Sequence, residues 1–126
     1  MSNFVKHIGG CHCGAVTFEG FAAADIKALR CNCSICSMTG FIHLLVDKSN
    51  FTLLTGEKSL SNYRFNTGIA QHKFCSICGV KPFYIHRSHP DGVSINVNCL
   101  HSATIDSLAI TDFDGRNWEE AIHTLD

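Results

Sequence analysis

Apolar and polar residues alternate along much of this chain, and alternation with a period of two predicts β-strands that bury one face. Alternating or β-rich segments lie at 15–19, 41–46, 51–54, 63–65, 72–74, 82–86 and 93–98. The last two segments predict a hairpin, because the residues just before 93 include Pro90 and Gly92, which are typical of a turn. We therefore expect a mainly β fold with long connections between the strands.

Helix signals are few in this sequence. A short C-terminal helix is predicted over residues 118–124, where Asn117 can act as the N-cap and Glu120 follows three residues later, as in a capping box. Trp118 is most simply the residue that anchors this helix against the sheet. Residues 22–28 offer at most one further helical turn, because they contain few long apolar side chains.

Length and composition fit one domain, predicted to span residues 1–126. A chain of 126 residues can bury one hydrophobic core, and a metal site would add substantially to its stability. The residues are 45% hydrophobic and 17% charged, and no apolar run approaches the roughly 18 residues of a membrane helix. The first residues match neither a secretory signal nor a transit peptide, so we expect a cytoplasmic protein, with the nucleus as a second location.

The charge of the chain bears on its partners, and its expected compartment bears on the role of its cysteines. A formal net charge of -1 and a pI near 6.7 argue against nucleic acid as a partner, since such domains usually have a pI above about 9. In a reducing compartment disulfides are rare, so grouped cysteines are most simply metal ligands. Zinc is therefore the expected cofactor.

Eight cysteines fall into three groups and one single residue. Cys75 and Cys78 form a C-x-x-C pair followed by glycine, an arrangement that turns two sulfurs toward one point. Tetrahedral zinc requires four ligands, and Cys11 and Cys13, again followed by glycine, are the matching pair. We predict that these four residues form a closed, structural zinc site that ties the N-terminal strand to the middle of the chain.

The remaining group, Cys31, Cys33 and Cys36, is one ligand short of a closed tetrahedron. If Cys99 supplies the fourth ligand, the site is closed and structural. If solvent or a substrate thiol supplies it, the site is of the catalytic type. A metal-free thiol cluster is the third interpretation. We favour the open site and predict two zinc ions per chain, one structural and one catalytic.

In chain order the groups give C-x-C, C-x-C-x-x-C and C-x-x-C-G, an order that resembles the glutathione-dependent formaldehyde-activating enzyme family, also called the centromere protein V family. Several segments carry the resemblance: 9–16, 31–36, 63–67, 70–75, 78–80, 83–84, 99–100 and 117–119. They extend from about residue 9 to 122, so the resemblance covers nearly the whole chain and is more specific than one C-x-x-C pair.

The resemblance implies a β-tent fold, which is a folded-over β structure, and the same division of the cysteines between a structural and a catalytic zinc. It also implies an activity, the condensation of glutathione with formaldehyde to S-hydroxymethylglutathione. That reaction forms a carbon–sulfur bond, so the chain would be a carbon–sulfur lyase acting on glutathione or a related small thiol. The alternative is a non-catalytic zinc-binding interaction module of the centromere protein V type, which the same fold permits.

Candidates outside the cysteines rest on residue type alone. The alkoxide that forms when a thiol adds to formaldehyde needs a proton donor. Three residues are candidates for this donor: His72, His101 and Tyr84. Three basic residues could hold the carboxylates of a peptide thiol, although a solvated strand face is the commoner explanation: Arg64, Lys73 and Arg87. We interpret His12 as a surface residue, because neighbours within a cysteine knuckle point apart.

Overall fold

The computed structural model describes residues 4–32, 34–63, 71–85 and 92–113. Within these ranges the chain forms ten strands and one short helix, α1 (Ser34–Thr39). The strands are β1 (Phe4–Gly10), β2 (Thr17–Ala23), β3 (Asp25–Cys31), β4 (Ile42–Asp47), β5 (Phe51–Thr55), β6 (Leu60–Tyr63), β7 (Gln71–Cys75), β8 (Phe83–Ile85), β9 (Gly92–Asn96) and β10 (Ser107–Phe113). The prediction of a mainly β fold is confirmed.

The strands form two open sheets. One has three strands in the order β1-β2-β5, and the other has seven in the order β10-β3-β4-β9-β8-β7-β6. The described strand pairs are antiparallel apart from β3 and β10, which run parallel. Neither sheet closes into a barrel.

The hydrophobic core lies between the two sheets. Phe18 of β2 is fully buried at its centre, with its ring 5.5 Å from that of Phe51 and 6.3 Å from that of Phe83. From the larger sheet, β4 and β9 contribute alternate residues to this core: Leu44, Val46, Val93 and Ile95. Because side chains alternate across a strand, the residues between these project from the opposite face of the sheet.

Each predicted strand segment overlaps a strand where the structure describes it, although residues 15 and 16 precede β2 and residues 97 and 98 form a 3-10 turn. The segments predicted to form the late hairpin pair antiparallel as β8 and β9, while residues 89–91 of its turn lie outside the described residues. The expectation of a helical turn within 22–28 is wrong, because these residues end β2 and begin β3. Ile26 and Ala28 of β3 are buried at alternate positions in the core, which stabilises a strand there.

Some predictions concern residues beyond the described ranges. The C-terminal helix over 118–124, with Asn117 and Trp118, falls there and stays a prediction. The assignment of residues 1–126 to one domain likewise stays a prediction.

Candidate metal centre

The first cysteine pair lies in a tight turn directly after β1. The turn begins at Cys11, whose N–H donates to Val16 O at 3.0 Å, and the Gly14 N–H donates back to Cys11 O at 3.2 Å. Gly14 has a φ of 82°, which only glycine adopts at little cost. The Val16 N–H also points to Cys11 Sγ at 3.3 Å, so a backbone donor is already directed at this sulfur.

The second pair repeats this construction after β7. The Cys75 N–H donates to Val80 O at 2.9 Å, the Gly79 N–H donates to Cys75 O at 2.8 Å, and Gly79 has a φ of 79°. The Ile77 N–H points to Cys75 Sγ at 3.4 Å. The two turns are therefore matching knuckles, each closed by a glycine that the sequence places just after its second cysteine.

The two knuckles meet. The sulfurs of Cys11, Cys13, Cys75 and Cys78 all lie within 4.8 Å of one another. Cys13 Sγ is 3.6 Å from Cys11 Sγ and 3.7 Å from Cys75 Sγ, far longer than a disulfide bond of about 2.05 Å. A tetrahedral zinc with bonds of about 2.3 Å needs sulfurs about 3.8 Å apart, which these distances approach. The structure thus brings the four predicted residues together in a cluster that could hold a zinc ion.

Burial and hydrogen bonds to the sulfurs give the thiols of this cluster different pKa values. The Val80 N–H is the main reason that the pKa of Cys78 falls to about 6. Burial raises the pKa of Cys11, but hydrogen bonds from Val16 and Cys13 outweigh it, and that pKa lies below its usual value. The Ala15 N–H lowers the pKa of Cys13. Burial and the neighbouring thiols raise this pKa by more than that hydrogen bond lowers it, so it reaches about 11. A metal ion would displace the remaining protons from its ligands.

The second cysteine group is described only in part. Cys31 ends β3 and is half-buried, Cys36 lies in α1 and is buried, and Cys33 falls outside the described residues. Cys36 Sγ lies 3.2 Å from His43 Nε2, a contact that the sequence did not predict. The three-cysteine metal site therefore remains a prediction, with His43 as a neighbour of one of its members.

Cys99 lies beside the first cluster. It ends a 3-10 turn, Val97–Cys99, and its thiol points to Lys81 O at 3.9 Å. Burial raises the pKa of Cys99 to about 11, and the negative charges of Cys11 and Cys78 add to the rise. Among the described residues, the group of possible metal ligands contains Cys11, Cys13, Cys75 and Cys78, and the structure does not group Cys99 with Cys31 and Cys36.

The remaining sequence candidates fall on different parts of the molecule. His72 and Tyr84 are buried, whereas His12 is exposed as expected. His101 is exposed and lies next to β1, where its backbone N–H donates to Ile8 O at 2.9 Å. Lys73 is half-buried on β7, and Arg64 and Arg87 lie outside the described residues.

The outer face of the larger sheet carries a row of buried polar side chains. Strand register places His43 beside Asn96, Ser94 beside Tyr84, and Tyr84 beside His72. All five are buried. In β9 the polar residues Ser94 and Asn96 alternate with the apolar Val93 and Ile95, a pattern that indicates one apolar face, and the structure shows that the polar face is buried as well.

Three residues of this row, His43, His72 and Tyr84, form a cluster with Phe41 and Lys81. We call this cluster the aromatic box. The His43 ring centre lies 4.5 Å from that of Phe41 and 5.2 Å from that of Tyr84. The His72 ring stacks on Tyr84 at 5.0 Å, with 9° between their planes. Lys81 Nζ lies 4.7 Å from the ring centres of both Phe41 and Tyr84. The contact between His43 and Cys36 joins the aromatic box to the second cysteine group.

Both cysteine groups and the aromatic box fall inside one family match. The model of the glutathione-dependent formaldehyde-activating enzyme family matches residues 6–112. The chain belongs to this family. The chain is also similar to a Rhodobacter sphaeroides protein whose crystal structure is known. The two sequences are 31% identical, the match covers 82% of this chain and 99% of that chain, and the structures superpose with a TM-score of 0.68.

Within the described residues, no helix is long and apolar enough to span a membrane.

Proposed function

We propose that this protein is a zinc-dependent enzyme that forms or breaks the carbon–sulfur bond between formaldehyde and a glutathione-type thiol. Membership of the glutathione-dependent formaldehyde-activating enzyme family over residues 6–112 is the observation that carries the proposal. The match spans both cysteine groups and the aromatic box. Glutathione or a closely related thiol is the proposed substrate, and the reducing cytoplasm is the proposed location.

The two cysteine groups have different proposed roles. Cys11, Cys13, Cys75 and Cys78 supply four sulfurs, so a metal there would be closed and structural. Three of them, Cys11, Cys75 and Cys78, lie in an apolar cluster with Val16, Leu53, Leu60 and Val80. The group of Cys31, Cys33 and Cys36 supplies three sulfurs and adjoins the aromatic box through His43. We propose that it holds the catalytic zinc, with the fourth position left for the substrate thiol.

The thiol substrate needs activation because a thiol with a pKa near 8.5 is only about 3% ionised at pH 7. A zinc ion, when bound at the second group, would ionise a ligating thiol, an increase in thiolate of about 30-fold or about 2 kcal/mol. The protein's own residues then do the remaining work. His43 orients the Cys36 sulfur, and the buried rings beside it keep water from the reacting atoms.

The proposal is tested by measuring how fast glutathione and formaldehyde interconvert with their adduct. Exchange NMR with ¹³C-formaldehyde gives this rate at equilibrium, with the spontaneous reaction as the baseline. We expect the zinc-loaded protein to accelerate exchange and Cys36→Ser to abolish the acceleration while the four-cysteine cluster keeps its metal. A wild-type protein that leaves the spontaneous rate unchanged would contradict the enzyme and favour the non-catalytic zinc-binding module.

A further inference from the structure

Lys81 carries an ammonium group into the aromatic box, although lysine is normally a surface residue. Only 8% of Lys81 is exposed. Its backbone is fixed against β9, because Asn96 Nδ2 donates to Lys81 O at 3.0 Å and the Asn96 N–H donates to Pro82 O at 2.9 Å. Methionine would fill a similar volume without burying a charge, so the ammonium at this position costs free energy that a packing role alone does not offset.

The contacts of Lys81 orient its ammonium. Nζ lies 2.7 Å from Nδ1 of His72. Because an ammonium can only donate, Nδ1 of a neutral His72 accepts this hydrogen bond and its Nε2 carries the ring hydrogen. The faces of Phe41 and Tyr84 attract the cation without taking its proton. In such low-dielectric surroundings an ammonium attracts an oxyanion more strongly than it does in water.

The position of Lys81 relates it to the second cysteine group. Phe41 and Tyr84 contact Lys81 and also contact His43. His43 in turn contacts the sulfur of Cys36. Lys81 and His43 therefore share the same two rings, and His43 connects them to the proposed thiol-binding group.

We propose that the aromatic box is a binding site for a small oxyanion and that Lys81 is the group that binds it. In the reaction, which rests on the proposed function, the oxyanion is the alkoxide of the thiol–formaldehyde adduct. The thiolate sulfur forms a bond to the aldehyde carbon, the carbonyl π-bond breaks, and its electron pair moves to oxygen. That oxygen takes a proton from Lys81, and the proton lost by the thiol on ionisation returns to Lys81 through solvent. No redox step is needed.

Formate is the probe for the site, because it is a stable oxyanion of nearly the size of formaldehyde. NMR of the zinc-loaded protein, observing Lys81 Cε and the His72 ring, follows a formate titration. We expect saturable shifts of both groups in the wild-type protein and in Lys6→Met, and no His72 shift in Lys81→Met. Lys6 is the control because it is an exposed lysine on β1 of the smaller sheet, where its Nζ lies 3.9 Å from Glu19 Oε2.

Kinetics test the part of Lys81 in the reaction. Removing one group that stabilises a developing oxyanion typically lowers kcat by about 100-fold or more. We expect this loss in Lys81→Met with little change in the thiol KM or in zinc content, partial recovery in Lys81→Arg, and no loss in Lys6→Met. A thermal melt of each variant shows that it is folded, and the wild-type formate titration stands even if Lys81→Met does not fold.

The outcomes separate this proposal from the proposed function. Absence of a saturable formate shift at wild-type Lys81 overturns the oxyanion site. A saturable shift together with an undiminished kcat in Lys81→Met overturns its part in the reaction. If the wild-type protein binds formate in the box but accelerates no thiol–formaldehyde exchange, the proposed function fails and the oxyanion site stands.

Discussion

Replacing Cys78 by serine should remove the metal of the four-cysteine cluster and unfold most of the chain. The substitution exchanges one sulfur for an oxygen at a half-buried position, so little packing is lost with it. Its main effect is on the ligand set, because a hydroxyl is a far poorer zinc ligand than a thiolate. The loss of stability therefore measures what the metal contributes.

The magnitude follows from what the cluster joins. Cys13 and Cys75 lie 62 residues apart in the sequence, with their sulfurs at 3.7 Å. Closing a loop of this length in the unfolded chain costs about 4 kcal/mol. Zinc binding to small structural sites supplies about 10–16 kcal/mol, whereas a whole domain is stable by about 5–15 kcal/mol. Removing the metal thus removes a share comparable to the total stability.

Circular dichroism during heating, combined with zinc analysis, measures this effect. We expect wild-type protein to melt cooperatively and Cys78→Ser to give no cooperative transition. Cys99→Ser is the matched control, since Cys99 is also half-buried and lies beside the cluster without belonging to it. A metal-free Cys78→Ser protein with a native-like, cooperative melt would contradict a structural role for this metal.

Four further predictions follow from the same structure. Cys33→Ser should stay folded and carry one zinc fewer by metal analysis; complete loss of folded protein would show that the two sites are reversed. Cys99→Ala should keep the wild-type zinc content, because Cys99 is not in the group of possible metal ligands found among the described residues, and loss of one zinc would make it a ligand. Gly56→Ala should destabilise the fold by about 1–3 kcal/mol in chemical denaturation, since Gly56 has a φ of 91° and an added Cβ would lie 2.3 Å from Ala15 O; unchanged stability would contradict this. Glutathione affinity should fall up to about tenfold per pH unit between about pH 8 and 6, because the thiol must lose a proton to bind; a pH-independent affinity in calorimetry would exclude thiolate binding.

The four-cysteine cluster could be predicted from sequence because its geometry is local. Each pair is set by a short turn with glycine directly after it, and Gly14 and Gly79 both have the positive φ that such turns require. Only the meeting of the two pairs depends on the fold. Simple counting of ligands was enough to match them, since tetrahedral zinc needs four.

The sequence was less informative where long-range pairing decides the structure. β10 is an edge strand with mostly exposed side chains, so it lacks the alternation expected of a half-buried strand. β1 and β3 were also absent from the predicted segments. The aromatic box could not be predicted as a unit, because His43, His72 and Lys81 come from separate strands and loops. Only the register that places His43 beside Asn96 and Tyr84 beside His72 brings them onto one face.

Cobalt substitution gives a direct test of a second metal site that accepts a substrate thiol. Protein loaded with Co²⁺ in place of zinc is titrated with glutathione, and the sulfur-to-cobalt charge-transfer absorption is recorded. We predict two metal ions per chain and an increase in absorption at saturation that corresponds to one added thiolate, absent in Cys33→Ser. One metal ion per chain, or a spectrum that glutathione leaves unchanged from about pH 6 to 8, across the range below the free thiol pKa, would contradict it.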